Sequence, residues 1–131
     1  MDNWVKQLTD NESAQWEDIT GIPLDSISSL ESFNLRDKAL YLGIKLLCSV
    51  LLNLSNLTHL DLSTNNIDSE EMELLSATIY NLSNLTYLDL GYNNIGDEGA
   101  KRLAEALEHN NTLTALNLHG EYHAFVRLKL M

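Results

Sequence analysis

The chain has 131 residues, with 8 Lys and Arg against 19 Asp and Glu and a net charge of −11; this is the length of one ordinary domain. A hydrophobic fraction of 44% with 21% charged residues excludes wholesale disorder, and the negative field repels phosphate backbones and anionic lipid, so neither nucleic acid nor a membrane surface is expected as a partner. The single cysteine excludes an internal disulfide.

Residues 1–29 open with Met1-Asp2-Asn3-Trp4, an acid where a secretory signal carries bases, and no apolar run follows. Trp4, Leu8, Trp16 and Ile19 fall at helical spacing before the Ile22-Pro23 break, which predicts a helical N-terminal cap. Residues 30–52 hold a weak strand pattern, Leu30-x-x-Phe33-x-Leu35, and then a helical stripe of Ile44, Leu47, Cys48 and Leu51. The spacing predicts a helix near 37–52. The apolar stretch from Leu40 to Leu54 is broken by Lys45, Ser49 and Asn53 and is shorter than the roughly 20 residues a spanning helix needs.

Residues 53–80 and 81–108 are two copies of one unit. They share 14 of 28 positions, and 12 of those fall in the first 15, NLSNLTHLDLSTNNI over NLSNLTYLDLGYNNI. In each first half, apolar and polar residues alternate, as in Leu57-x-x-Leu60-x-Leu62 and Leu85-x-x-Leu88-x-Leu90, the mark of a strand with one buried face. In each second half, Met72, Leu75, Ser76 and Ile79, or Ala100, Leu103, Ala104 and Leu107, form one helical stripe. Strands are therefore expected at 57–62, 85–90 and 113–118, and helices at about 71–81 and 97–108. Acids at Asp68–Glu71 and Asp97–Glu98 suit the helix starts. Residues 109–131 begin a further unit with Leu113-x-x-Leu116-x-Leu118, but Glu121 stands where the earlier units have Asn. The alternation of Ala124, Val126, Leu128 and Leu130 with Phe125, Arg127 and Lys129 predicts a terminal strand that covers the last unit; an array cut short is the other reading.

One strand–turn–helix unit cannot cover its own apolar faces, whereas copies stacked side by side can, with strands about 4.8 Å apart. The pattern L-x-x-L-x-L-x-x-N-x-I, present as Leu57…Leu60, Leu62, Asn65, Ile67 and as Leu85…Leu88, Leu90, Asn93, Ile95, resembles the leucine-rich repeat. The 28-residue unit and the segment GDEGAKRLAEALEHNNTL at 96–113 resemble its ribonuclease-inhibitor-type subclass, found also in cytosolic innate-immune receptors. The resemblance implies an α/β solenoid, a right-handed β/α horseshoe segment with parallel concave strands and convex helices. Residues 30–52 then form a degenerate first repeat, one residue out of register, with Lys38 in place of Asn. Residues 53–80 and 81–108 are full repeats, and 109–131 a partial repeat with a C-terminal cap. Asn65 and Asn93 are expected to turn inward and satisfy backbone groups that no strand partner reaches.

The acidic, aromatic strand face reads as a non-enzymatic protein–protein interaction module. The opening residues read as those of a cytoplasmic chain or, if the source is an intracellular microbe, one delivered into a host cytosol. The resemblance does not choose among the roles that such repeats serve. Such repeats serve as sensors, inhibitors, scaffolds and microbial effectors. The alternative is a regulator of catalysis, an enzyme inhibitor or an activator of small GTPases of leucine-rich-repeat type, for which Arg36 is the one basic residue near an expected strand exit.

Successive repeats should bring Asp61, Asp89 and Asn117 into one row of the concave face, with His59, Tyr87 and Ala115 in the next and Ser63, Gly91 and His119 in the third. Of these, His59, Asp61, Ser63, Tyr87, Asp89, Asn117 and His119 are the candidate partner-binding residues, since an acidic and aromatic strip suits a partner with a basic patch. No base, nucleophile or pocket accompanies the carboxylates, so no catalytic set is read. His119 and His123 in HGEYH have the spacing of a helical metal pair, but Gly120 and the strand pattern argue against a helix there. Neither metal nor cofactor is expected. Cys48 aligns with Ser76 and Ala104 and reads as a packed thiol. The oligomeric state is not legible from the pattern.

Overall fold

The computed structural model describes residues 8–38 and 43–120. The expectations for Trp4, Glu121, His123 and the terminal strand lie outside those residues. Thr9 caps the first helix, α1 (Asp10–Thr20), through a reciprocal pair in which Thr9 Oγ1 accepts from Glu12 N–H and Glu12 Oε2 accepts from Thr9 N–H. The helix stops at Gly21, whose φ of 69° and N–H bond to the Glu17 carbonyl form the left-handed end that glycine allows. Trp16 is fully buried, donates from Nε1 to the Ile22 carbonyl at 3.0 Å and packs its ring 5.6 Å from that of Phe33. A 3₁₀ turn at Leu24–Ser29 buries Leu24 and Ile27 on the same core.

Among the described residues four three-residue strands follow: β1 (Ser32–Asn34), β2 (His59–Asp61), β3 (Tyr87–Asp89) and β4 (Ala115–Asn117). They form one parallel sheet in chain order. Register places Phe33, Leu60, Leu88 and Leu116 in one row and Asn34, Asp61, Asp89 and Asn117 in another. Between strands run α2 (Ile44–Leu51), α3 (Ser69–Tyr80) and α4 (Gly96–Glu108). Strand leucines and helix residues such as Leu47, Met72, Leu75, Ile79 and Leu103 share one buried core, so the helices lie on one side of the sheet, and among the described residues no element covers the other face. This is the α/β architecture of a leucine-rich-repeat solenoid.

The strands are half as long as the alternation predicts, because the flanking residues leave the strand while their amides continue the ladder: Thr58 N–H bonds to the Glu31 carbonyl and Leu62 N–H to the Asp89 carbonyl. The helix expected from residue 37 starts at Ile44 instead. Residues 36–38 form a turn with Asp37 at φ 60°, and Gly43 at φ 79° sits immediately before the helix; neither backbone conformation fits a helix. At the second repeat the acids behave as expected, with Asp68 and Glu71 forming a reciprocal cap on α3. Gly99 lets α3 and α4 approach closely, since a Cβ there would meet Met72 Cγ at 3.2 Å.

Three sets of side-chain hydrogen bonds recur along the stack. At strand entry, Thr58, Thr86 and Thr114 each donate a hydroxyl to the carbonyl of the preceding repeat, at Glu31, Thr58 and Thr86. At strand exit, Asn34, Asp61, Asp89 and Asn117 each accept from the N–H two residues on, at Arg36, Ser63, Gly91 and His119. Inside the following turn, Asn65 Nδ2 donates to the carbonyls of Leu35, Leu62 and Ser63, and Asn93 Nδ2 to those of Leu62, Leu90 and Gly91. Asn93 Oδ1 accepts from Asn65 N–H and Ile67 N–H, both at 3.0 Å. The inward Asn role expected from the repeat is thus present at both positions.

Candidate functional site: the open strand face

Alternation along each strand turns His59, Asp61, Tyr87 and Asp89 away from the core while Leu60 and Leu88 are fully buried. Register then sets His59 beside Tyr87 and Asp61 beside Asp89. The His59 and Tyr87 rings stack with centroids 5.7 Å apart and planes 25° apart, and His59 Nδ1 lies 2.9 Å from Thr58 Oγ1. Two carboxylates on adjacent strands repel each other, and among the described residues the ion pairs involve neither Asp61 nor Asp89.

Local hydrogen bonds hold both carboxylates. Asp61 Oδ1 accepts from Ser63 N–H at 2.9 Å and from Ser63 Oγ–H at 2.6 Å. Asp89 accepts from Gly91 N–H at 2.9 Å, from Asn117 Nδ2 at 3.1 Å and from the Tyr87 hydroxyl at 3.3 Å. Burial and then the charge of Asp89, with Asp61 contributing, push the Tyr87 phenol above its ordinary value of 10.0. The acids therefore serve the turn as well as facing solvent. Sequence reasoning missed this second role, although Asn34 and Asn117, equivalent residues able to make the same bond without charge, are its signature.

The expected rows form, but the third does not present three side chains. Ser63 is only 4% exposed and its hydroxyl is committed to Asp61, so it does not face a partner. Gly91 is buried too, and a Cβ there would come within 3.1 Å of both Asp89 Oδ1 and the His119 carbonyl. His119 is exposed and meets Tyr92 edge-on, with ring centroids 5.4 Å apart. Tyr92 is 55% exposed and is absent from the expected set, because it lies past the strand, where alternation carries no information.

Asp37, Thr64, Tyr92 and Gly120 are equivalent turn residues with φ of 60°, 58°, 53° and 85°. The first three donate their N–H to the next repeat, at Ser63, Gly91 and His119. The ladder thus demands a left-handed backbone at this position, which costs a non-glycine residue about 1–2 kcal/mol.

On the helix side, Arg102 lies 3.7 Å from Glu98 and 3.8 Å from Glu73; all three are exposed, and such pairs contribute about 0–1 kcal/mol. Burial pushes the Cys48 thiol up, opposed by a hydrogen bond with Thr78, as suits a packed thiol. Among the described residues no group of three or more His, Cys, Asp or Glu is placed to hold a metal ion. No helix among them is long and apolar enough to cross a membrane.

Repeat, ladders and strand face together have the architecture of a leucine-rich-repeat solenoid. Residues 53–76 and 81–104 match a family model described as leucine-rich repeat. The solved structure of leiomodin-1 actin-binding site 2 is similar, with a TM-score of 0.64 and 19% identity over 88% of this chain. The chain spans 64% of that structure's length. The Caenorhabditis elegans tropomodulin C-terminal domain aligns with a TM-score of 0.42 and 13% identity, covering 84% of this chain and 83% of that one. Among curated proteins, no match to the sequence is found.

Proposed function

We propose that the chain is a non-enzymatic interaction module, of the ribonuclease-inhibitor-type subclass, whose strand face binds a cytoplasmic protein partner through a basic patch. One observation carries the reading: Asp61 and Asp89 stand side by side on an open sheet face next to the stacked rings of His59 and Tyr87. A partner Lys or Arg relieves the repulsion between the two acids, while the rings supply contact area at small entropic cost. The net charge of −11 steers a basic partner toward the module.

The test replaces both acids by Asn. Lys is the wrong substitution, because it cannot accept the turn's N–H, whereas Asn is the residue already present at positions 34 and 117. Asp61→Asn with Asp89→Asn should leave the fold intact, weaken binding of a partner and flatten its salt dependence. The helix-side control, Lys101→Glu with Arg102→Glu, should change binding little. Actin, for whose binding the similar leiomodin-1 site is named, is one candidate to assay, beside arginine-rich peptides. If the helix-side variant abolishes binding and the strand-face variant does not, the face is misassigned. Faster GTP hydrolysis by a small GTPase, unaffected by either variant, would favour the regulator of catalysis.

A further inference from the structure

Tyr92 is an exposed aromatic at the turn position where the ladder imposes a left-handed backbone. Its φ of 53° puts a bulky aromatic where the same turn elsewhere holds Asp, Thr and Gly. More than half of it is open to solvent, so burial does not offset the strained backbone. The ring meets that of His119 in a T-shaped pair and lies against Gly120, where a Cβ would come within 2.6 Å of it. This glycine leaves the ring room to lie against the turn. Tyr92 follows directly on Gly91, whose N–H is held by Asp89. It therefore stands at the strand-exit rim of the face that carries Asp61, Asp89 and Tyr87.

We propose that Tyr92 is a specificity-determining contact residue of that face, receiving an arginine from a basic segment of the partner protein. Resting on the strand-face reading above, the proposal adds which cation is preferred and where. A guanidinium stacks flat on an exposed phenol ring, and its neighbouring charges meet the carboxylates along the same rim; an ammonium is more strongly hydrated and stacks less well. Tyr92 thus selects arginine over lysine, while Asp61 and Asp89 attract either.

The experiment measures fluorescence anisotropy with two octapeptides of alternating basic residue and glycine, one with arginine and one with lysine. The wild-type chain should bind the arginine peptide about threefold more tightly or better. Tyr92→Asn should bring the two affinities together and raise the melting temperature, since Asn tolerates the left-handed backbone; Tyr92→Phe should keep the preference. Opposite signs for stability and selectivity separate a contact residue from a packing residue. An unchanged arginine preference in Tyr92→Asn overturns the proposal, as does a lowered melting temperature. A wild-type dimer in sedimentation that Tyr92→Asn dissociates also overturns it, because the ring would then meet a second copy. Binding of both peptides that Asp61→Asn with Asp89→Asn leaves unchanged would instead defeat the strand-face reading itself.

Discussion

Replacing Asn93 by Ala removes at least five hydrogen bonds from two adjacent turns: three donated to the carbonyls of Leu62, Leu90 and Gly91, and two accepted from Asn65 N–H and Ile67 N–H. The Gly91 carbonyl still accepts from Thr64 N–H and the Leu62 carbonyl from Asn65 Nδ2, so those two losses are the mildest. The two amides matter most, because they belong to the buried residues Asn65 and Ile67, where water enters poorly. Each buried donor left unmatched costs about 1–3 kcal/mol. Asn93 is itself half-buried, which admits some water and holds the total to about 2–4 kcal/mol. Asn94→Ala, one residue on, is the control: its side chain is exposed, and the backbone bond from its N–H to the Ile67 carbonyl survives the change. Urea melts with an unchanged slope should report the difference directly. Equal loss at both positions, or less than about 0.5 kcal/mol at Asn93, would refute the inward-ladder reasoning.

Thr64→Asn should stabilise the chain by up to about 1 kcal/mol in the same melts, since it relieves a β-branched residue at φ 58°; destabilisation would show that the Thr64 side chain has a packing role. Ser76→Ala should add about 0.5–1.5 kcal/mol, because Ser76 Oγ is buried without a hydrogen-bond partner and Ala is the better helix former. Asp89→Asn should lower the ionisation midpoint of Tyr87, followed by tyrosinate absorbance against a Tyr87→Phe blank, because the charge and the hydrogen-bond acceptor that raise it are weakened together. In the wild type the folded phenol holds its proton to higher pH than the unfolded one, so this group's contribution to stability falls as pH rises above 10.0; the slope should be shallower in Asp89→Asn.

The repeat makes the sheet legible from the residues alone. A constant 28-residue step carries Asp61 onto Asp89 and Asn117, and the strands pair in that register. Asn34 is harder to find as the fourth member of the row, because the step between β1 and β2 is 27 residues, Ser32 pairing with His59. The Thr ladder stands in the sequence as Thr58, Thr86 and Thr114, but a polar residue at strand entry looks the same whether it faces water or bonds a neighbouring carbonyl. Ser63 reads as outward when the alternation is extended past Leu62. There the chain has already turned, and the side chain folds back onto Asp61. The left-handed residues are not legible at all: Asp37, Thr64 and Tyr92 share a backbone conformation imposed by the ladder and share no chemistry.

The proposed function stands or falls with the strand face being the surface that meets a basic partner. Titrating the alternating arginine–glycine octapeptide into isotope-labelled protein, with amide shifts followed residue by residue, tests this most directly. The largest changes should map to His59, Asp61, Tyr87, Asp89 and Tyr92, shrinking as salt is added, while Lys101 and Arg102 on α4 stay still. Changes concentrated along α3 and α4, with the strand residues unmoved, would contradict it.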